Sequence, residues 1–211
     1  VVRHCEALID FHTGSFHRSN LPQVRADLRR PRVRELARAF GAPIIVHSDG
    51  ARGTLRRAAV EEGIPTITYE AGEPMRFQRE EVSHGVTGVL HWLAFLGMLE
   101  GRPGRTDEER IYTRSRWVRV SDGGIFITDR ELGERVAAGE ILGTVTDPIS
   151  NERTRVIAPF GGRIIGMALS QVVIPGFAAF HIGVETEPLA VPPLPDQVED
   201  PGELDADERP E

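Results

Sequence analysis

The residues Asp10-Phe11-His12-Thr13-Gly14 have the types and spacing of a metal-binding strand end. An apolar run leads into an acidic residue and a histidine, and a glycine follows shortly after. This pattern is typical of a strand that delivers a ligand to the edge of a sheet. A catalytic zinc site needs three protein ligands and an open position for water, and nothing N-terminal to His12 supplies the usual pair. Since Val1 is not an initiator methionine, we interpret the chain as the C-terminal part of a longer enzyme.

The elements that would position these residues alternate between strands and helices from residue 1 to about residue 100. Strands are predicted at Ala7–Ile9, Pro43–His47 and Ile64–Glu70, and helices at Val33–Phe40, Thr54–Gly63 and Arg79–Leu99. Such alternation predicts an α/β domain with a largely parallel sheet. His12 and Glu70 both follow predicted strands, so we expect them at the edge where ligands gather. The third helix is apolar on most faces and should lie deep in the domain.

The second half of the chain changes character. Residues 101–111 form a charged linker with proline and glycine, and residues 112–186 consist of short apolar runs separated by glycines, which predicts an all-β domain. A weak echo between Val136–Gly139 and Val173–Gly176 suggests two similar halves packed as a small sandwich. Residues 187–211 are acidic and rich in proline, so they are predicted to be a disordered tail.

Composition excludes several classes of function. All 25 basic residues are arginines, so no lysine can carry biotin, lipoate or a Schiff base. The net charge of −7 comes from the tail, which leaves a nearly neutral body and argues against nucleic-acid binding. The longest apolar run is too short to span a bilayer, so no membrane partner is expected. The single cysteine, Cys5, fits a reducing cytoplasm, and we predict a cytoplasmic protein.

Three segments resemble one known family. The runs DFHTGSFHRSNLPQVRADL, GIPTITYEAGE and LGMLEG look like the succinylglutamate desuccinylase and aspartoacylase family, whose members are zinc hydrolases related in fold to zinc carboxypeptidases. The runs GERVAAGEILGTVTDP and VIAPFGGRIIG resemble the barrel-sandwich extension that many members carry. The resemblance implies a carboxypeptidase-like, mostly parallel sheet over residues 1–100, incomplete at its N-terminus, and a small all-β barrel-sandwich domain over 112–186.

The resemblance also implies roles for individual residues. His12 would be the third ligand of one Zn²⁺, and Glu70 would be the catalytic general base. The first two ligands, a His-x-x-Glu pair, have no counterpart in this chain, so we expect the chain alone to be inactive. The implied reaction is hydrolysis of the amide bond of an N-acyl amino acid or a related small compound. Assembly into a homo-oligomer is left open.

Further site residues are predicted beside these two. Asp10 shares a strand face with His12 and could orient its imidazole, although a backbone carbonyl could do the same. Arg18, Asn20 and Arg25 are placed on a loop after the first strand, where guanidinium groups could bind a substrate carboxylate. They could equally be solvated surface groups. His4 is interpreted as the end of a helix, and the other five histidines, at positions 17, 47, 84, 91 and 181, are assigned to packing or to the surface.

Two rival functions stay open at this point. The chain could be a non-catalytic binding or assembly module derived from the same family, which a native start near Val1 would favour. A carrier-type module is the other rival, because the β segment resembles biotinyl and lipoyl domains. The absence of lysine argues against the carrier, since no residue could accept the cofactor.

Overall fold

A computed structural model describes residues 2–104 and 110–184 of the chain. The predicted tail over 187–211 and part of the predicted linker lie outside the described residues. A short 3₁₀ turn at Val2–His4 precedes the first strand. The first half then contains four strands, β1 (Leu8–His12), β2 (Arg18–Ala26), β3 (Ile44–His47) and β4 (Thr66–Gly72), and three helices, α1 (Pro31–Phe40), α2 (Leu55–Glu61) and α3 (Arg79–Phe95).

The described part of the second half, residues 110–184, contributes nine further strands. They are β5 (Arg110–Tyr112), β6 (Arg114–Arg119), β7 (Gly124–Ile127), β8 (Arg135–Val136), β9 (Ile141–Thr146), β10 (Arg153–Ile157), β11 (Gly162–Ala168), β12 (Val172–Val173) and β13 (Ala178–Val184). In the described part of the chain, no helix combines the length and the apolar character that crossing a membrane would require.

The main sheet is mixed, which corrects the prediction of a largely parallel sheet. Its principal path runs β1-β4-β2-β11-β13-β6. Outside this path, β3 pairs with β2, β5 pairs with β3, and β8 pairs with β11. The pairs β1–β4, β2–β3 and β3–β5 are parallel, whereas β2 runs antiparallel to both β4 and β11. The antiparallel pairs follow from β2, a strand that the sequence pattern did not predict and that lies between strands from both halves of the chain.

The strands of the second half divide between two sheets. β7, β9, β10 and β12 form a separate four-stranded sheet, while β6, β11 and β13 extend the main sheet. A core cluster that includes Phe126, Leu142 and Phe180 lies between them. The two segments of the predicted echo both form turns with a glycine in the left-handed region, Gly139 at φ 85° and Gly176 at φ 83°. β5 begins inside the predicted linker and pairs with β3.

The first-half core lies on one face of the main sheet. α1 buries Val33, Leu36 and Phe40 against the sheet, and Gly41 ends this helix at a φ of 77°. The indole of Trp92 on α3 donates a hydrogen bond to the carbonyl oxygen of Leu36 at 2.9 Å, which ties the two helices together. The end of α1 at Gly41, as read from the sequence, is confirmed, because a left-handed glycine cap acts locally; the helix begins at Pro31, two residues before the predicted Val33.

α3 does not lie deep in the domain, contrary to the prediction from its apolar sequence. Only Gly85, Gly88 and Trp92 of this helix are buried, and it ends at Phe95 rather than at Leu99. Val82 and Val86 are 45% and 55% exposed. Apolar side chains of α3 are therefore left exposed, because the described part of the chain does not cover them.

Candidate functional site

The structure brings His12 and Glu70 side by side. β1 and β4 are parallel, and His12, the last residue of β1, is the register partner of Glu70, which lies two residues before the end of β4. Register partners on neighbouring strands place their side chains on the same face of a sheet. Two residues that are far apart in the sequence therefore meet at one place on the main sheet.

Asp10 contacts the imidazole of His12, as the strand periodicity predicted. The distance from Asp10 Oδ2 to His12 Nε2 is 3.1 Å, and the side chain of Asp10 is 20% exposed. A carboxylate at Nε2 leaves Nδ1 as the ring nitrogen for another partner. This is the arrangement in which a carboxylate orients a metal-binding histidine.

One oxygen of Glu70 is held from two sides. Asn20 Nδ2 donates a hydrogen bond to Glu70 Oε2 at 3.1 Å, and Arg25 Nε lies 2.9 Å from the same oxygen. The Arg25 contact is an ion pair whose N–H is not aligned as a hydrogen bond. Both contacts found in the described residues fall on Oε2, and neither falls on Oε1.

Asn20 and Arg25 do not lie on a loop, which corrects the sequence prediction. Both are on β2, next to β4, where Asn20 is 6% exposed and the Arg25 side chain 19% exposed. A strand inside a sheet was not expected because Pro22 interrupts the run and the segment also contains the polar residues Asn20 and Gln23. The polar side chains are buried here because they face the candidate site.

Arg18 is also on β2, but it is directed elsewhere. Its guanidinium carbon lies 5.1 Å from the ring centre of Trp117 and 4.9 Å from that of Phe177. Its Nε donates to the carbonyl oxygen of Ala178 at 3.1 Å. Burial and the nearby Arg119 lower the pKa of Arg18. Arg18 thus joins the two halves of the chain and is not among the residues that line the pocket beside Glu70.

Two residues at the site come from the second half and were not predicted. His181 on β13 is 2% exposed, and its Nδ1 lies 3.3 Å from Arg25 Nη2. The indole of Trp117 on β6 stacks on the imidazole, with ring centres 4.6 Å apart and planes 9° apart. The only sequence signal was a single imidazole within an apolar strand. The assignment of His181 to packing agrees with its burial and its stacking on Trp117, but it missed the contact of the ring with the arginine that pairs with Glu70.

A further buried cation lies near these groups. Arg56 on α2 is 6% exposed and donates to the carbonyl oxygen of Ser48. Burial lowers its pKa, and the charge of Arg25 lowers it further while that of Glu70 raises it. The candidate site therefore combines one carboxylate at its centre with two guanidinium groups close by.

A pocket of about 510 Å³ opens beside Glu70. It is bounded by groups from β1, β2, β4 and β6, and by the loop between β1 and β2. Its lining includes His12, Asn20, Arg25, Glu70 and Trp117, together with Pro74 and residues 13–16. The volume is in the range that small organic ligands occupy.

A second concavity, which we call the α3 groove, lies on the other side of His12. It has a volume of about 330 Å³ and an apolar wall that includes Phe11, Phe77, Val82, Val86 and Val89. Phe77 is 80% exposed and Phe11 is 53% exposed. Single exposed apolar residues are ordinary, but a continuous set of this kind marks a surface that another segment can cover.

The donor set falls short of a complete zinc site. Within residues 2–104 and 110–184, no group of three histidine, cysteine, aspartate or glutamate side chains is placed to hold a metal ion. His12, with its Nε2 on Asp10, fits as one imidazole ligand of such a site. Among the described residues, His12 with the carboxylate of Asp10 on its ring is the group whose chemistry fits such a site.

Comparison with known proteins agrees with the family resemblance. Residues 1–96 match the model of the succinylglutamate desuccinylase/aspartoacylase catalytic domain. The names of this family describe deacylases, which hydrolyse acyl-amide bonds. A search of curated proteins returned no match.

Solved structures share the fold of the chain. The apo ectoine utilization protein EutE (DoeB) from Ruegeria pomeroyi is 22% identical, with a TM-score of 0.80, and the match covers 87% of this chain and 62% of that one. A succinylglutamate desuccinylase/aspartoacylase from Rhodobacter sphaeroides is 23% identical, also with a TM-score of 0.80, covering 89% and 61%. A product-bound structure of EutE (DoeB) from R. pomeroyi aligns with a TM-score of 0.77, at 23% identity, over 87% and 60%. The chain thus spans about three fifths of the length of these proteins.

Proposed function

With residues 1–96 matching the desuccinylase/aspartoacylase family, we propose that this chain is the C-terminal part of a zinc-dependent deacylase. Its substrate would be an N-acyl amino acid or a related small N-acyl compound. The observation that carries the proposal is the register pairing of His12 and Glu70 on adjacent strands, with Asp10 on the imidazole and Arg25 on the carboxylate. A ligand histidine and a proton-accepting carboxylate are the two groups that metal-assisted amide hydrolysis needs from this part of a fold.

His12 would bind the zinc ion through Nδ1, since Nε2 is already on Asp10. When bound, zinc would polarise the amide carbonyl and lower the pKa of the attacking water. The other two protein ligands would come from a segment upstream of Val1. The chain alone would then hold zinc weakly and show no turnover.

Glu70 would accept the proton of the attacking water at Oε1 and later return it to the leaving amine. Asn20 and Arg25 hold Oε2, so the carboxylate keeps one orientation through both transfers. A group fixed in this way needs no rearrangement between the two steps. The pocket beside Glu70 is wide enough for a small amide, and Arg25 lines it with a guanidinium group that could bind a substrate carboxylate.

The α3 groove supports the fragment part of the proposal. β1 lies at the end of the main sheet's principal path, with β4 as its neighbour. Phe11 on β1 and Val86 on α3 are both more than half exposed. An upstream segment that supplies zinc ligands next to His12 would pass over this apolar surface and bury it, which is favourable at about 25 cal/mol per Å².

The test is to express the chain with the residues encoded in frame upstream of Val1 and to assay zinc content and release of amino acid. N-acetyl and N-succinyl amino acids are suitable probes. We expect Glu70→Gln to lower kcat by at least about a hundredfold, the usual contribution of a general base. We expect His12→Ala to lose the zinc. Glu73→Gln and His17→Ala are matched controls on neighbouring positions outside the proposed chemistry and should keep both properties.

Three results would overturn parts of the proposal. Turnover that survives Glu70→Gln would remove Glu70 from the reaction. Tight zinc binding with turnover by the 211-residue chain itself would refute the fragment interpretation. A native start near Val1, with no hydrolysis of any probe, would favour the binding or assembly module instead.

A further inference from the structure

A row of register partners connects the second half of the chain to the candidate site. Trp117 on β6 pairs with His181 on β13, His181 pairs with Gly166 on β11, and Gly166 pairs with Asn20 on β2. Partners in such a row share one face of the sheet. The face that carries Asn20 therefore continues, strand by strand, to Trp117.

His181 can act only as an acceptor toward Arg25. A guanidinium group has donors and no acceptor. The 3.3 Å contact with Arg25 Nη2 therefore needs a lone pair on His181 Nδ1, with the ring proton on Nε2. Burial, with the charge of Arg25 as the second cause, lowers the pKa of His181 to about 3, so the ring is neutral at ordinary pH.

Arg25 connects this imidazole to Glu70. Its Nη2 faces His181 on one side, and its Nε lies 2.9 Å from Glu70 Oε2 on the other. The guanidinium group is planar and rigid, so holding two of its nitrogens from different strands fixes the plane of the whole group. The orientation of Arg25 against Glu70 therefore depends on a residue 156 positions away in the sequence.

Gly166 makes room for this arrangement. A Cβ at this position would overlap Asn20 Oδ1 and would lie 3.3 Å from the Cβ of His181. A glycine between them lets both side chains keep their places on the same face. Gly166 on β11 therefore leaves the space that the side chains of Asn20 and His181 occupy.

Packing alone does not explain the imidazole. An apolar ring would stack on Trp117 equally well, whereas burying an imidazole costs free energy unless its polar atoms find partners. Among the described residues, the polar side-chain partner found for the His181 ring is Arg25. The choice of histidine is accounted for by that contact.

We propose that His181, braced by Trp117, is a positioning residue that fixes Arg25 against Glu70, so that strands from the second half complete the candidate site. The role of Glu70 as a proton acceptor rests on the proposed function. The positioning itself does not, because it needs neither metal nor substrate and is measured on the 211-residue chain.

The first measurement uses the unaltered protein. ¹⁵N NMR of the His181 ring gives the tautomer directly, and we expect an unprotonated Nδ1 with a scalar coupling to an Arg25 Nη2 proton. A proton on Nδ1 would overturn the proposal without any variant.

The second measurement compares two substitutions with opposite effects on packing and on hydrogen bonding. His181→Phe keeps an aromatic ring against Trp117 but removes the acceptor. His181→Asn loses the ring but keeps an oxygen near the place of Nδ1. The readout is the order parameter of the Arg25 Nε–H group. His91→Phe is the control, since His91 Nδ1 lies 3.3 Å from the carbonyl oxygen of Phe40, away from the site.

We expect Arg25 to be rigid in the unaltered protein and in His181→Asn, and to become mobile in His181→Phe, with an order parameter below about 0.6. A packing role predicts the reverse order, because Phe preserves the packing and Asn leaves a cavity. Rigid Arg25 in a folded His181→Phe variant would refute the positioning role. Both results are read without activity, so failure of the deacylase assay would leave them unchanged.

Discussion

The buried imidazole of His181 predicts a loss of stability in mild acid. In the folded protein its pKa is about 3, whereas in the unfolded chain it has the ordinary value of 6.5. Between these values the unfolded chain binds a proton that the folded protein does not. Lowering the pH through this window therefore favours unfolding.

The magnitude follows from the two pKa values. Each pH unit within the window is worth about 1.4 kcal/mol when the states differ by one proton. At pH 5 the solution is roughly 1.5 units below the unfolded value, so the folded state should have lost about 2 kcal/mol relative to neutral pH. This is a large share of the roughly 5–15 kcal/mol that stabilises a typical domain.

The groups that face His181 explain the direction. Arg25 on β2 lies against the ring, and Trp117 on β6, itself covered by Arg18, stacks on its face. A protonated His181 would place a third cation beside two guanidinium groups. Glu70 is the nearest carboxylate in this set, and it is already paired with Arg25.

The assay is urea unfolding followed by far-UV circular dichroism at pH 7.5 and at pH 5.0, for the unaltered protein and for His181→Asn. We expect the unaltered protein to lose about 2 kcal/mol more than the variant between these two pH values. Other titrating groups cancel in this difference. One is Glu81, whose pKa is raised chiefly by burial. Equal losses in the two proteins would show that His181 is not held neutral, and the reasoning would fail.

Three further predictions concern the packing of the first half. Gly88→Ala places a Cβ against the ring of Phe40 and should lower the free energy of unfolding by about 1–3 kcal/mol, measured by urea unfolding. Val86→Glu, at a position 55% exposed, should change the free energy of unfolding by less than about 0.5 kcal/mol and reduce self-association in sedimentation velocity. Thr54→Ala removes the side-chain oxygen that accepts from the Arg57 N–H and should lower the melting temperature, at a cost of about 1 kcal/mol.

Each of these three predictions has a control variant or an outcome that would contradict it. Gly85→Ala lies on the same helix, where the nearest atom to a Cβ is Tyr69 Cε1 at 3.3 Å, so it should be tolerated better than Gly88→Ala. A strong destabilisation by Val86→Glu would mean that α3 is covered within this chain after all. Thr54→Ser keeps the hydroxyl and should retain most of the stability that Thr54→Ala loses.

Local signals predicted the helices and most of the first-half strands. Thr54 caps α2 as expected, and Gly41 and Gly63 follow their helices at φ angles of 77° and 85°. These signals work because a cap or a left-handed glycine acts within one turn of the chain. His12 and Glu70 were expected at the sheet edge for a similar reason, since each follows a predicted strand, whereas the roles proposed for them came from the family resemblance.

The hydrophobic pattern gave wrong predictions where polar residues are buried or apolar residues are exposed. β2 buries Asn20 and Gln23, so its sequence lacks the alternation of apolar and polar residues that marks a half-buried strand. α3 failed in the opposite sense, because its apolar residues predicted burial that the described chain does not provide. In both segments the hydrophobic pattern departs from the burial that the structure shows: β2 has buried polar residues, and α3 has exposed apolar ones.

The contribution of the second half could not be read from local pattern at all. Phe180-His181-Ile182 gives a strand, but the contact with Arg25 depends on which strands pair and in which register. A single polar residue between two fully buried apolar ones does carry one usable signal, since a buried polar group needs a specific partner. That signal predicts that a partner exists without naming it. Only the strand order of the main sheet, from β6 to β2, identifies this partner as Arg25. The candidate site is therefore formed by residues from both halves of the chain.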